Sequence, residues 1–522
     1  MLRYHSLSQL IIVLLVSSLF SVVVPRITAA QQALVLADNP APDSAEETEP
    51  APSEKAAEKT MPHPLEQPGP TPRARWSEDW SSLGNLASLE DTEPPLYDEF
   101  WLPIKYIPLD ESGETYLSLG GEARLAYEVY DEKDSGISDI GRQDALQLRL
   151  AFHVDLHLNQ RWRIFSQLGY GKILDSREGG EKTADESDIN FWELFVDYRL
   201  PVREDERVVF RVGRQIIETG GLFINAGEGN NVRQVYDGFR VGWLAGDFIK
   251  VASFAVEFVD FDDDAFEMSG TGEHFWGFRA GMRFEQPELD LHFLYTGWDL
   301  QDRQFEQGGA GLHDELRHSL LLWLQRPLIG TRQLGLNYYL AYQFGEYEDR
   351  PGDSDISAFA GFGEVRYAFY QQANTPILGL KTAYFSGDDD PEDSELNTFY
   401  DPVFATPFFG YARDIQPHNL IFVQPNVGYR FGDRALVTLS HGLYWRADDD
   451  DAFYGKPNGI TVRAGESDSS WLGHQTQLSL RYLATPNLLI SSYLARFFAG
   501  DVIEDAGGSD RDYFHIGIHY LF

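Results

Sequence analysis

The chain of 522 residues contains no cysteine. A disulfide framework and thiolate chemistry are both excluded, so hydrogen bonds and packing alone must hold the fold. Basic residues are scarce as well: 42 Lys and Arg stand against 82 Asp and Glu, for a net charge of -40. No basic surface dominates such a field, which argues against a nucleic-acid partner. Long apolar runs are also missing. Beyond residue 30, Asp, Glu, Gln, Arg or Gly recur every few residues, and no window is apolar enough to span a membrane as a helix.

The one apolar run, 10–24, follows Arg3 and precedes Thr28, Ala29 and Ala30. It is shorter than the ~20 apolar residues a spanning helix needs and reads as a cleavable secretory signal over 1–30. Residues 31–96 are rich in Pro, Ala, Glu and Ser, as in ADNPAPDSAEETEPAPSEKAAEK. Such a segment buries too little apolar surface to offset chain entropy and reads as a disordered, acidic periplasmic tail, a linker before it is a docking element. The remainder, 97–522, reads as an outer-membrane β-barrel.

What is present in abundance is aromatic residues (14%) and 47 glycines, at a mean hydropathy of only -0.33. From Thr115 onward the pattern has period two. In 145–159, Leu146, Leu148, Leu150, Phe152, Val154, Leu156 and Leu158 alternate with Gln147, Arg149, Ala151, His153, Asp155 and His157. An alternation of that length suits a barrel-spanning strand with one face to lipid and one to a lumen. The same pattern near 115–129, 162–171, 189–200, 208–215, 236–244, 249–259, 274–285, 289–297, 316–325, 333–345, 357–370, 377–386, 421–431, 435–446, 471–483, 487–498 and 513–522 brings the total to about eighteen. Connections alternate short and long, the short ones falling at 159–161, 201–207, 245–247, 286–288, 326–332, 371–376, 432–434 and 484–486. The expectation is an all-β, antiparallel transmembrane barrel with short periplasmic turns, long extracellular loops and both termini in the periplasm.

The long loops carry much of the acid, at 260–267, 346–355, 388–395, 448–451 and 501–510. Trp162, Tyr198, Trp243, Trp276, Phe284, Tyr429, Trp445 and Tyr482 stand at strand ends, where interfacial girdles sit. The last strand closes on Phe522, which looks like the signal read by the outer-membrane barrel assembly machinery.

Arginines recur on the polar phase: Arg124, Arg149, Arg163, Arg199, Arg211, Arg240, Arg279, Arg283, Arg317, Arg366, Arg430, Arg446, Arg481 and Arg496. A charge on the lipid face costs ~2–4 kcal/mol at mid-depth, so these are expected to point inward. Guanidinium groups stay charged and fit carboxylates, and a ring of them selects anions. The competing reading is that they pair with Glu122, Asp155, Glu193, Asp197 and Glu364 to brace the wall. Arg240, flanked by Gly238 and Gly242, and the Tyr444–Arg446 pair are expected to face passing solute.

Longer motifs carry a resemblance: FVDYRL at 195–200, RVGRQ at 211–215, EGNNVRQVYDGFR at 228–240, SGDDDPEDSELNTFYDPVFATPFFG at 386–410, YWRADDDDAFYG at 444–455 and YLARFFAGDVI at 493–503. In these the chain resembles the alginate-export outer-membrane porins, over about 117–522. The resemblance implies an eighteen-stranded barrel with an arginine-rich constriction that passes uronate polymers. It puts Arg214, Arg233, Arg240 and Arg446 forward as constriction candidates, and it leaves uptake of small anionic solutes as the alternative. The resemblance also implies periplasmic scaffold proteins as partners, should the chain be an exporter.

Several features read more simply. NTFYDPVFATPFFG, rich in Pro and aromatics, is expected to pack as an inward-folded loop that narrows the barrel. The run Asp388–Asp390 lacks the ligand spacing of a calcium loop and reads as solvated. Ser440 and His441 are adjacent and therefore on opposite strand faces, so no catalytic triad forms there. No cofactor motif is present, and transport is expected to be passive. A purely structural barrel would be plugged by apolar or neutralised side chains instead of lined with arginine.

Overall fold

The period-two pattern resolves into one closed sheet. The computed structural model describes residues 100–522 apart from 138–140, 178–185, 204–205, 218–220, 226–229, 246–248, 262–265, 267, 286–287, 310, 327–332, 349–353, 370–373 and 456–458. The expected signal and tail, 1–96, lie outside the described residues.

The long strands are β1 (Tyr116–Asp131), β2 (Gln143–Leu158), β3 (Trp162–Arg177), β4 (Ser187–Arg203), β5 (Glu206–Gln215) and β6 (Val235–Ala245). They continue with β7 (Ile249–Phe261), β8 (Met268–Glu285), β9 (Glu288–Arg303), β10 (His313–Arg326), β11 (Leu334–Tyr347) and β12 (Ser354–Ala368). The circuit ends with β13 (Thr375–Phe385), β14 (Leu420–Phe431), β15 (Ala435–Trp445), β16 (Trp471–Thr485), β17 (Leu488–Ala499) and β18 (Arg511–Leu521). Neighbours in sequence pair antiparallel, and β18 pairs back onto β1 from Glu122↔Leu521 to Asp131↔Asp512. Closure removes every sheet edge, which is what allows strands to cross a bilayer. All eighteen expected strands are present. Several run further than the alternation indicates, β8 beginning at Met268 and β3 reaching Arg177.

The outward face is apolar: Leu150, Phe152, Leu340, Val427, Leu439, Leu478 and Ile518 are all exposed. The inward face divides in two. On β1–β4 it carries buried Glu122, Arg149, Asp155, Arg163 and Asp197, and on β7–β13 buried Phe254, Phe275, Trp298, Trp323, Tyr339, Phe362 and Phe385. Phe275 and Trp298 stack with centroids 3.6 Å apart. Large rings lie across glycines of the adjoining strand. A Cβ on Gly169 would stand 2.0 Å from the Trp192 ring, so β3 approaches β4 there only because the side chain is absent.

At the end bearing the short turns, the one-turn helix Leu102–Lys105 leans on the C-terminus. The Trp101 indole donates to the Tyr520 hydroxyl at 2.7 Å, its ring packs 4.7 Å from Phe522, and the Gly121 amide donates to the Phe522 carbonyl at 2.8 Å. Phe522 thus ends in register with β1.

Candidate permeation path

The segment 386–419, between β13 and β14, folds inward as its composition indicates. Leu396, Phe399, Tyr400, Phe404, Phe408 and Phe409 are buried in one cluster with the inward-facing Phe362, Phe385, Phe422 and Tyr444. Packing of that kind removes apolar surface from water, while backbone groups in the lumen still need partners. Gln343 supplies two, its Oε1 accepting the Tyr400 amide at 3.0 Å and its Nε2 donating to the Tyr400 carbonyl at 2.7 Å. Arg317 donates to the Thr398 carbonyl at 3.0 Å, Lys381 to that of Phe408 at 3.0 Å, and the Tyr444 hydroxyl to that of Phe409 at 2.7 Å.

Residues 221–225 and 230–234, which precede β6, lie beside it. The Ala405 amide donates to the Leu222 carbonyl at 3.0 Å and the Asn225 amide to that of Val403 at 2.9 Å, so the two inward segments pair with each other. The Asn230 carbonyl accepts Arg124 at 2.9 Å and Arg149 at 3.3 Å. Arg413, on the first segment, donates to the Asn230 Oδ1 at 2.9 Å and reaches Glu128 at 3.0 Å.

The sequence-derived candidates fall into three groups. Most arginines do face the lumen, and many are braced by acids. Glu122 takes Arg149 at 3.2 Å and Arg233 at 2.8 Å, both ends of each pair being buried. Arg211 grips Asp197 through two bonds of 2.7 and 2.9 Å with its guanidinium 3.5 Å from the Phe195 ring centre. Arg163 pairs with Asp155, Arg283 with Asp290 at 2.8 Å, and Arg366 with Glu364 at 3.6 Å. Arg279 donates to His292 at 3.2 Å over the Trp323 ring. Arg240 is half-buried between Gly238 and Gly242, and Arg430 and Arg481 lie on the inward faces of β14 and β16.

The second group faces the other way. Arg214 lies opposite the outward Leu194 and pairs with Asp237 at 2.6 Å, on the same face as Val212 and Phe239. Arg496 shares the outward face of β17 with Leu494 and pairs with Asp512 at 3.1 Å and Asp510 at 3.2 Å. Both are exterior ion pairs near the long-loop end instead of pore-lining groups, the neighbouring acid compensating each charge.

The third group faces inward but is covered. Arg446 is 1% exposed and donates to the carbonyls of Asp451 at 3.0 Å and Ser467 at 2.8 Å, and to that of Ser469. Tyr444 is fully buried beneath Phe409. The expected solute-facing pair is therefore an anchor for the loops, because carbonyls of the loop after β15 occupy Arg446 and a carbonyl of the segment 386–419 occupies Tyr444.

Beneath the segment 386–419 a cavity of about 200 Å³ remains, in the half of the barrel nearer the short turns. Arg366, Lys381 and Arg481 face it, opposed by Glu364, and Gln424, Asn426, Thr438, Ser440, Gln477 and Ser479 supply amides and hydroxyls. Its roof includes Tyr411, stacked on Tyr493 at 3.8 Å. Lys381, a lysine among the polar-phase arginines, lies on the inward phase of β13 between Gly379 and Ala383. Ser440 faces this cavity while His441 is exposed outside, so the two do not meet.

In the inward loops burial sets the titration. Asp388 is pushed up to about 8 by burial and by Asp451, and Asp451 itself to about 6 despite hydroxyl bonds from Tyr454 and Thr398. Burial pushes Asp401 up to about 7 and holds His418 well below its ordinary range. Among the described residues no three His, Asp or Glu side chains converge to hold a metal ion.

The sequence pattern of the family described as Alginate export matches residues 115–516. No curated protein matches the chain. Among solved structures, the outer membrane protein OpdK of Pseudomonas aeruginosa is 13% identical, with a TM-score of 0.50 over 78% of this chain and 99% of its own. OccK2 (OpdF) of the same organism, solved with glucuronate, is 13% identical with a TM-score of 0.52 over 80% and 98%. OpdK with vanillate scores 0.50 at 13% identity over 78% and 98%.

Proposed function

This chain belongs to the alginate-export family and forms an outer-membrane channel; from that premise we propose that its solute is an anionic polysaccharide, a uronate polymer, moving by passive diffusion. The observation that carries this reading is the cavity under the segment 386–419, where Arg366, Lys381 and Arg481 outnumber Glu364 among amides and hydroxyls. Cations bind the carboxylates of a uronate and the neutral groups bind its hydroxyls. Arg240 and Arg279 extend the basic surface along the inward face. With its short turns on the periplasmic side, as in porins, the barrel offers this cavity as the first site met by an exported polymer.

Uptake of small carboxylates is the second reading. OccK2 holds glucuronate and OpdK holds vanillate, both small carboxylates, in barrels of this fold. The full chain in planar bilayers tests the proposal through reversal potentials in a potassium chloride gradient and current block by oligouronates. Anion preference with block that strengthens with oligomer length supports the polymer channel. Block by monomers alone favours uptake, and cation preference removes the basic-path reading altogether.

A further inference from the structure

Lys381 belongs to two structures at once. Its ammonium faces the basic cavity, and it donates to the Phe408 carbonyl at 3.0 Å while lying 5.1 Å from the Phe408 ring centre. Phe408 is buried in the inward segment whose Tyr411 roofs that cavity. The same stretch is held by Tyr444 at the Phe409 carbonyl, by the Tyr411 amide on Gln477 at 3.4 Å, and by the stack of Tyr411 on Tyr493.

We propose that Lys381 is the trigger through which a carboxylated sugar in the cavity opens the channel: the sugar's carboxylate takes the ammonium from the Phe408 carbonyl and frees the tip of the segment 386–419. This rests on the uronate reading above and adds regulation to it. An ammonium-to-carboxylate bond is charged at both ends and stronger than one to a neutral carbonyl. With the segment closed, part of the donor capacity of Lys381 is committed to Phe408. With it displaced, that capacity is available to solute. The solute therefore binds the open arrangement more tightly, and a differential affinity is what shifts a two-state equilibrium. A neutral sugar of the same size has no carboxylate to compete with and leaves the equilibrium alone. Arg366 and Arg481 keep the cavity cationic whichever way Lys381 points, so selectivity and opening are separable.

Single-channel recording of the full chain in planar bilayers tests this, with a defined tetrauronate or a neutral tetrasaccharide added at the short-turn side. In the wild type the tetrauronate raises the opening frequency and the neutral sugar does not. K381M opens on the order of tenfold more often without solute, the size of one lost charge-assisted bond, and gains nothing from tetrauronate. K381R retains the response. An anion-selective wild type whose openings ignore tetrauronate, or a K381M channel that still responds as the wild type does, overturns the trigger and leaves the uronate reading standing. Cation selectivity in the same membranes overturns both. Should K381M fail to assemble, A412C in the otherwise cysteine-free chain decides: tetrauronate accelerates its labelling by a small thiol reagent if the segment is released, and an unchanged rate refutes the proposal.

Discussion

The hydroxyl of Tyr444, on β15, donates to the carbonyl of Phe409 at 2.7 Å where neither residue meets water. One phenol thus ties the barrel wall to the inward segment. Y444F keeps the ring and orphans the carbonyl, which costs about 1–3 kcal/mol of loop stability. The expected result is noisier current with more frequent brief openings. The heat-modifiable mobility of the barrel should not change, since no strand pairing depends on this bond.

Asp388 gives the inward segment a pH dependence. Asp388 is 1% exposed, and its own amide donates to Asp451 Oδ2 at 3.1 Å. Against an ordinary value of 3.8, burial and Asp451 hold it near 8, so the packed state binds the proton that the released state gives up. The associated stability is complete below the ordinary value and is lost as pH rises through about 8. Opening frequency should therefore climb between about pH 5 and pH 9. D388N, which keeps the neutral form, should flatten the profile; an equally steep profile in D388N would place the dependence elsewhere.

Arg240 and Arg446 separate cleanly on substitution. R240E places an acid on the half-buried inward face of β6 and should shift reversal potentials toward cations with the loops intact. R446E buries a carboxylate against the carbonyls of Asp451, Ser467 and Ser469, a repulsion of several kcal/mol. Its signature is disruption of 447–470, read as protease cleavage there, before any change in selectivity. Clean selectivity loss in R446E with resistant loops would contradict this assignment.

The exterior pairs should be nearly silent. R496Q breaks exposed contacts to Asp510 and Asp512, and such pairs contribute about 0–1 kcal/mol. Ion selectivity should match the wild type within error, whereas a shift as large as that of R240E would return Arg496 to the lumen.

The eighteen strands were legible because lipid demands an apolar face over their whole crossing. Their extensions were not, since β8 before residue 274 and β3 beyond 171 rise past the apolar zone, where alternation has no physical reason to persist. Strand phase failed where both faces are apolar: on β17 the inward Leu489, Tyr493 and Phe497 resemble the outward Leu494, so Arg496 took the wrong side. Arg446 and Tyr444 do point inward, as their phase predicts, yet both are covered. Period two tells which way a side chain points, and says nothing about a loop from elsewhere in the chain that arrives to cover it. The inward course of NTFYDPVFATPFFG was readable from its aromatics, but its partners Gln343 and Arg317 were not, because they come from β10 and β11.

The aromatic half of the interior changes what kind of object β10 is. Leu320 and Leu322 are exposed toward acyl chains, while Leu321 and Trp323 are buried against polypeptide. Water wets neither side, so the run SLLLWLQ reads like a central strand of a globular enzyme instead of an alternating porin strand. Truncating Trp323 should behave as a core deletion, on the order of 3–5 kcal/mol. The two sides of the interior are thus filled by different chemistry, rings across β7–β13 and buried ion pairs such as Arg149 with Glu122 and Arg163 with Asp155 across β1–β3.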